Sequence, residues 1–190
     1  RIVFSFSSAF VGACEGSRDL YRQYRVPENQ IYLSQLCTDN ERFSVPATQA
    51  PVDFIFCGRF MEAKRPLFAM EVAREAAIRL GRRTSIDFVG SGVIETEMRD
   101  YAAQISDLVD TRFHGYLTQT ELPHRYANAR IFLFPTKAYV SGVVANEACA
   151  TGLPVIVTPY AGVAGELVVD GSNGYVRDLD LAAWTEAAVD

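Results

Sequence analysis

VDFIFCGRFMEAKRPLFAMEVAREAAIRLGRRTSIDFVG, residues 52–90, decides the fold. It opens on a nearly continuous apolar run, 52–58, bounded by Pro51 and Gly58, the pattern of a strand buried on both faces of a sheet. After a short loop, Pro66 suits a first helical turn, residues 66–80 carry apolar side chains at helical spacing, and Gly81 is a natural stop. SIDFVG (85–90) is a second strand. The same alternation continues to the end of the chain. It predicts a helix to about Gln104, a strand over 107–115 and a short helix over 120–129 capped by Thr120. A strand over 130–135 and a helix over 142–150, ended by Gly152, come next. A strand over 153–159, a helical turn over 165–171, a strand over 173–177 and the start of another helix complete the series. Strands alternating with helices imply an α/β fold built on a doubly wound parallel sheet.

The first fifty residues read differently. FSFSSAFVGA (4–13) is one strand, EGSRDLYRQYRV (15–26) one amphipathic helix and NQIYLSQLC (29–37) another strand, while TDNERFSVPATQAP (38–51) is a polar linker containing proline. Residues 1–50 are therefore expected to be the end of one domain and the crossing into the next, with 51–190 forming the second. The chain opens at Arg1 with no initiator methionine, and a fragment is expected.

Composition narrows the function. The 190 residues can bury one good core, and 49% hydrophobic with 22% charged content is ordinary for a globular domain. A net charge of -5 argues against a nucleic-acid partner, which would bring a basic stripe. No apolar run approaches bilayer length, and the apolar start reads as a strand rather than a signal peptide. Cys14, Cys37, Cys57 and Cys149 are too far apart for a metal knuckle or redox pair. Cys57 and Cys149 lie in apolar runs as small core residues, which fits a reducing compartment and hence the cytoplasm. His114 and His124 match no local metal spacing, so no metal site is expected.

Four stretches could carry chemistry. In GRFMEAK, a strand ends at Gly58, Arg59 follows with its forked donors, and Lys64 adds a compact charge. The pair suits a diphosphate at the C-terminal end of a strand, although two cations in a loop also read as solvated surface. In PTKAYVSGVVANEACATGLPVIVT (135–158), Ser141-Gly142 opens a helix whose first amides, at Gly142, Val143 and Val144, make an anion site. Glu147 sits one turn deeper on the face of Val143, where a carboxylate could accept from a pair of ribose hydroxyls. GSGVIE (90–95) imitates a dinucleotide fingerprint but has Glu95 where the third glycine belongs, so it reads as a turn. In TPYAGVAGELVVDGSNGYV (158–176), Gly162 and Gly165 give a loop before a short helix begun by Glu166. That loop lies beside the phosphates or simply connects strand to helix.

These stretches, in their order, resemble the family 4 (group 1) glycosyltransferases over nearly the whole chain. The resemblance is carried by PENQIYLSQLCTDNERF, FCGRFMEAKRP, FVGSG, FHGYLTQTELPHRYANARIFLFPT, NEACATGLPVIVT and GVAGELVVDGSNGYV. It implies a GT-B fold of two Rossmann-like domains, this chain being chiefly the C-terminal, nucleotide-sugar-binding one. It also implies sugar transfer with retention from a donor such as a UDP- or GDP-sugar, with no required metal or cofactor. Arg59 and Lys64 would then be the catalytic cations on the diphosphate, Glu147 would bind the ribose, and the amides of Val143 and Val144 would touch phosphate or ribose. Gly58 would shape the phosphate loop, and Gly115, Tyr116 and Leu117 would face the base. The family pattern places two glutamates with seven residues between them, and the earlier position is Tyr139 here, with Val140-Ser141-Gly142 for the usual Gly-Phe-Gly. A phenol cannot supply a carboxylate's charge to the sugar. Lys64 is followed by Arg65 rather than the usual glycine. A glycan or lipid-linked acceptor would bind the mostly absent N-terminal domain, leaving this piece inactive or weakly active. The resemblance places the protein in the cytoplasm, with the inner face of the membrane as an alternative. A nucleotide-sugar epimerase on the same fold, and a non-catalytic nucleotide-binding module, are the competing readings.

Overall fold

The computed structural model of the protein describes residues 6–49, 51–137 and 142–190. A short strand β1 (Phe10–Gly12), a helix α1 (Glu15–Gln23) and a strand β2 (Ile31–Leu33) form the first unit, with β1 and β2 paired in parallel. Phe10, Val26 and Ile31 make a small core of its own. The stretch expected to be a bare linker instead holds a four-residue helix, α2 (Asn40–Phe43). Asp39 caps it, accepting from the Arg42 amide at 3.2 Å, and Phe43 is buried beside Tyr126. An aromatic side chain thereby anchors the crossing to the core of the larger sheet.

The remaining strands are β3 (Val52–Cys57), β4 (Thr84–Val89), β5 (Val109–Gly115), β6 (Ala129–Phe134), β7 (Val155–Val157) and β8 (Gly174–Val176). Between them run α3 (Pro66–Leu80), α4 (Glu95–Gln104), α5 (Leu122–Ala127) and α6 (Val143–Ala150), and α7 (Leu181–Val189) comes after β8. The strands form one parallel sheet in the order β5-β4-β3-β6-β7-β8. The chain winds outward in one direction from β3 and in the other from β6, so the loops leaving these neighbours diverge. A crevice at the C-terminal ends of the strands is the geometric result.

Both faces of the sheet are covered, which explains the nearly continuous apolar runs. On one face Phe54, Phe56, Ile86 and Phe88 pack under Ala69, Met70 and Ala73 of α3 and Trp184 of α7. On the other, Ile55, Phe132, Phe134, Val155 and Val157 meet Tyr126 of α5 and Ala145 and Ala148 of α6. The small residues of α6 let that helix lie close to the strands.

Two expected local features differ. Thr120 does not cap α5; the residue preceding that helix is Glu121, whose carboxylate accepts from the Thr118 amide at 2.9 Å and hydroxyl at 2.6 Å. Residues 165–171 make no helix. The Leu167 and Val168 amides both bond the Val163 carbonyl at 2.9 Å, closing a single turn, and the Asn173 side chain then takes the Val169 amide at 2.8 Å. That side-chain acceptor draws the backbone out of helical bonding.

Trp184 ties α7 to α3. It is fully buried, lies edge-on to Phe68 at 5.4 Å, and donates its indole N–H to the Asp178 carbonyl at 2.8 Å. Trp184→Ala is expected to reduce stability by about 3–5 kcal/mol in urea titrations, a loss that Trp184→Phe should recover in part.

Candidate functional site

The loops that leave β3, β4 and β5 are stitched together by their backbones. The Gly58 amide bonds the Val89 carbonyl at 3.0 Å, Phe60 bonds Ser91 at 2.9 Å, and Gly90 bonds Gly115 at 2.8 Å. Gly90 has a φ of 129°, and a Cβ there would lie 2.0 Å from the Gly58 carbonyl oxygen. Only glycine fits so close an approach. The glycine pair of GSGVIE thus serves loop-on-loop packing, while Glu95 is held by Arg99 at 2.7 Å on α4.

Above these loops opens a cleft of about 380 Å³. Gly58, Arg59, Tyr116, Leu117, Val144 and Glu147, all singled out in the sequence, line it together. Gly115 sits at its edge, its carbonyl engaged by Gly90. Tyr116 stands at the mouth, 87% exposed. Lys64, Gly142 and Val143, all singled out in the sequence, do not line the cleft, and Tyr139 lies outside the described residues.

Lys64 ends a single 3-10 turn over 62–64, and its ammonium lies 5.5 Å from the centre of the Phe134 ring. Burial, and then the neighbouring Arg59 charge, hold its pKa below the usual lysine value. The two cations are close enough to repel. Among the described residues neither is paired with a carboxylate, whereas Arg65 and Lys137 nearby share Glu62 at 2.9 and 3.5 Å. The segment after β6 is fastened to the same turn, since the Lys137 amide bonds the Ala63 carbonyl at 2.8 Å.

Gly142 precedes α6 with a φ of 71°, and a Cβ added there would meet a Val163 methyl at 2.8 Å and the Phe134 ring at 3.5 Å. The Phe134 ring therefore has Lys64 on one side and the start of α6 on another. The Val143 and Val144 amides belong to the first turn, where a helix has no acceptors of its own to offer. The loop after β7 is shared: Val163 packs on Gly142, but the Glu166 carboxylate turns away and accepts from the Glu15 amide at 2.8 Å and the Gln35 side chain at 3.3 Å.

Glu147 lies on α6, one turn below that start, and is 5% exposed. Burial raises its pKa, while hydrogen bonds from Tyr126 and Gln119 pull the other way. The Tyr126 hydroxyl donates to its Oε2 at 3.3 Å. Tyr126 was not among the residues singled out in the sequence; its signal was a phenol on an apolar helical face, which needs a partner once buried. Cys57 lines the same cleft, its thiol pushed up to about 11 by burial. Arg59, Val144 and the buried Glu147 carboxylate share one opening, and among the described residues the Lys64 ammonium and the first amides of α6, beside the Phe134 ring, have no hydrogen-bond partner. This arrangement can hold an elongated anion carrying hydroxyl groups.

Among the described residues no cluster of His, Cys, Asp and Glu could hold a metal, and no helix is long and apolar enough to cross a membrane. The putative colanic acid biosynthesis glycosyltransferase WcaL of Escherichia coli K12 is 27% identical over 168 residues, covering 83% of this chain and 41% of that protein. The glycogen synthase of Mycobacterium tuberculosis is 29% identical over 124 residues, covering 65% of this chain and 30% of its own. The chain thus spans well under half the length of these relatives. The crystal structure of Anabaena HepE, in complex with UDP and glucose, superposes with a TM-score of 0.76 at 15% identity, covering 97% of this chain and 53% of that one. That likeness shows a shared GT-B fold. The profile of the family described as glycosyl transferases group 1 matches residues 38–184, and the chain belongs to that family.

Proposed function

We propose that this chain is the C-terminal, donor-binding part of a retaining family 4 glycosyltransferase, and that a nucleoside diphosphate sugar lies in the cleft above β3, β4 and β5. The observation that carries the reading is the pair Arg59, which lines the cleft, and Lys64, over the Phe134 ring that adjoins Gly142, both unneutralised among the described residues and close enough to repel. A diphosphate relieves that repulsion and accepts from both side chains and from the Val143 and Val144 amides. Glu147 takes the ribose hydroxyls, and the stretch around Tyr116 and Leu117 meets the base. HepE, whose structure holds UDP and glucose, supports the choice of donor class.

In the transfer step the bond between the anomeric carbon and the diphosphate oxygen breaks, the oxygen keeps the electron pair, and the acceptor hydroxyl bonds the carbon as it gives up its proton to the departing diphosphate. Arg59 and Lys64 donate to the departing diphosphate as its charge grows. Two side-chain cations supply the charge that a divalent ion supplies in other diphosphate sites, so the reading needs no metal. The acceptor, a glycan or lipid-linked glycan, binds the domain to which β1, α1 and β2 belong. A pair of three-residue strands is too small to be a sheet of its own. Residues 1–50 are accordingly the end of that domain and the crossing, and this chain alone transfers sugar poorly. Its buried thiols suit the cytoplasm, where nucleotide sugars are also found.

Melting curves with UDP, GDP and ADP test the site. A ligand at a hundredfold excess over its Kd stabilises by about 2.7 kcal/mol, roughly 5–10 °C for a domain of this size. Arg59→Ala and Lys64→Ala are each expected to abolish the shift, with the ligand-free melting point unchanged or raised as the repulsion is relieved. An unaltered shift in both would refute the phosphate assignment. In the longer protein, nucleotide released from the donor identifies a transferase, and isomerised sugar without release identifies an epimerase.

A carboxylate buried for binding weakens the fold, and the sign comes from its pKa. Glu147 holds its proton more tightly in the folded protein than its ordinary value of 4.5 allows, so its contribution to stability falls as pH rises through that raised value. Glu147→Gln is therefore expected to melt above the parent at pH 7, with the difference vanishing near pH 4, while nucleoside diphosphate binding weakens. A lower melting point at pH 7 would show that the carboxylate is not the strained group.

A further inference from the structure

Tyr126 lies wholly buried beneath the cleft, its ring 6.2 Å from Phe43 and 5.7 Å from Phe132. Packing accounts for the ring but not for the hydroxyl, since phenylalanine would fill the same space without a polar atom to desolvate. The hydroxyl donates to Glu147 Oε2 at 3.3 Å. Gln119 lines the cleft beside them. A carboxylate fixed from below in this way keeps its remaining lone pairs for a ligand above. A ribose diol presents two hydroxyls at a fixed separation, and a carboxylate free to turn would bind it less well.

We propose that Tyr126 is a positioning residue whose hydroxyl orients the Glu147 carboxylate toward the two ribose hydroxyls of a bound nucleotide. The inference rests on the reading of Glu147 as the ribose acceptor. The ionisable groups facing Glu147 are Cys57 from β3, Arg59 from the loop after it and Tyr126 from α5. Burial raises the Glu147 pKa, so acidification protonates its carboxylate sooner than an exposed glutamate. Removing the phenol donor removes one of the bonds that hold its pKa down. The variant therefore loses nucleotide at a higher pH than the parent as the solution is acidified.

Calorimetric titration of UDP, GDP, ADP and inorganic pyrophosphate into the chain, from pH 5.5 to 8, separates the outcomes. Tyr126→Phe is expected to weaken the bound nucleoside diphosphate roughly tenfold and pyrophosphate by less than about twofold. The nucleotide loss should grow toward pH 5.5, and Tyr126→Phe combined with Glu147→Ala should bind no more weakly than Glu147→Ala alone. Melting curves confirm that each variant is folded. No selective loss in Tyr126→Phe, or an added loss on the Glu147→Ala background, overturns the proposal and leaves the ribose reading intact. If Glu147→Ala itself treats nucleotide and pyrophosphate alike, the ribose reading fails instead.

Discussion

The pairing of β3 with β6 is the constraint on which the cleft depends. Phe54 lies against Ile131 and Ile55 against Phe132, so two strands far apart in sequence end side by side. One loop then departs toward β4 and the other toward α6, and the space between them cannot be filled by either. The Lys137 amide and the Thr136 hydroxyl both reach the Ala63 carbonyl, at 2.8 and 3.3 Å, which locks the two loops where they part. Lys64 is the next residue. Its position over Phe134 is thus imposed by backbone bonding, not left to a flexible side chain on open surface.

The same geometry explains why charge is tolerated there without partners. Several arginines elsewhere on the surface are matched to neighbours, as Arg82 is to Asp53 at 2.7 Å and Arg177 to Asp170 at 2.6 Å. Around the cleft the pattern inverts. Like charges are brought together and a carboxylate is drawn under the protein surface, each at some loss of folding free energy. A polyanion bearing hydroxyls would reverse both penalties at once, and this complementarity distinguishes the opening from the other grooves of the molecule.

Much of this was legible in the chain itself. The strands and long helices emerge from apolar periodicity, and Gly58, Arg59, Tyr116, Leu117, Val144 and Glu147 meet at one opening because the strands before them end at the same rim. What could not be read depends on contacts between distant residues. The bond between Tyr126 and Glu147 spans an intervening strand, and Tyr126 alone looks like core. The expected cap at Thr120 lost to Glu121, which folds back on Thr118, and the helix expected after Gly165 lost to the Asn173 side chain. Phe43 sat in a stretch whose polar composition concealed an anchor.

Glu166 accepts the Glu15 amide at the head of α1, from a loop whose Val163 presses on Gly142. One carboxylate therefore links the β1–β2 unit mechanically to the residue that starts α6. Any swing of that unit relative to the sheet loads this bond together with the one from Asn146 of α6 to the Leu36 carbonyl at 2.8 Å. The strain then passes along the short stretch of backbone back to Val163, so movement of the first unit is felt where α6 begins.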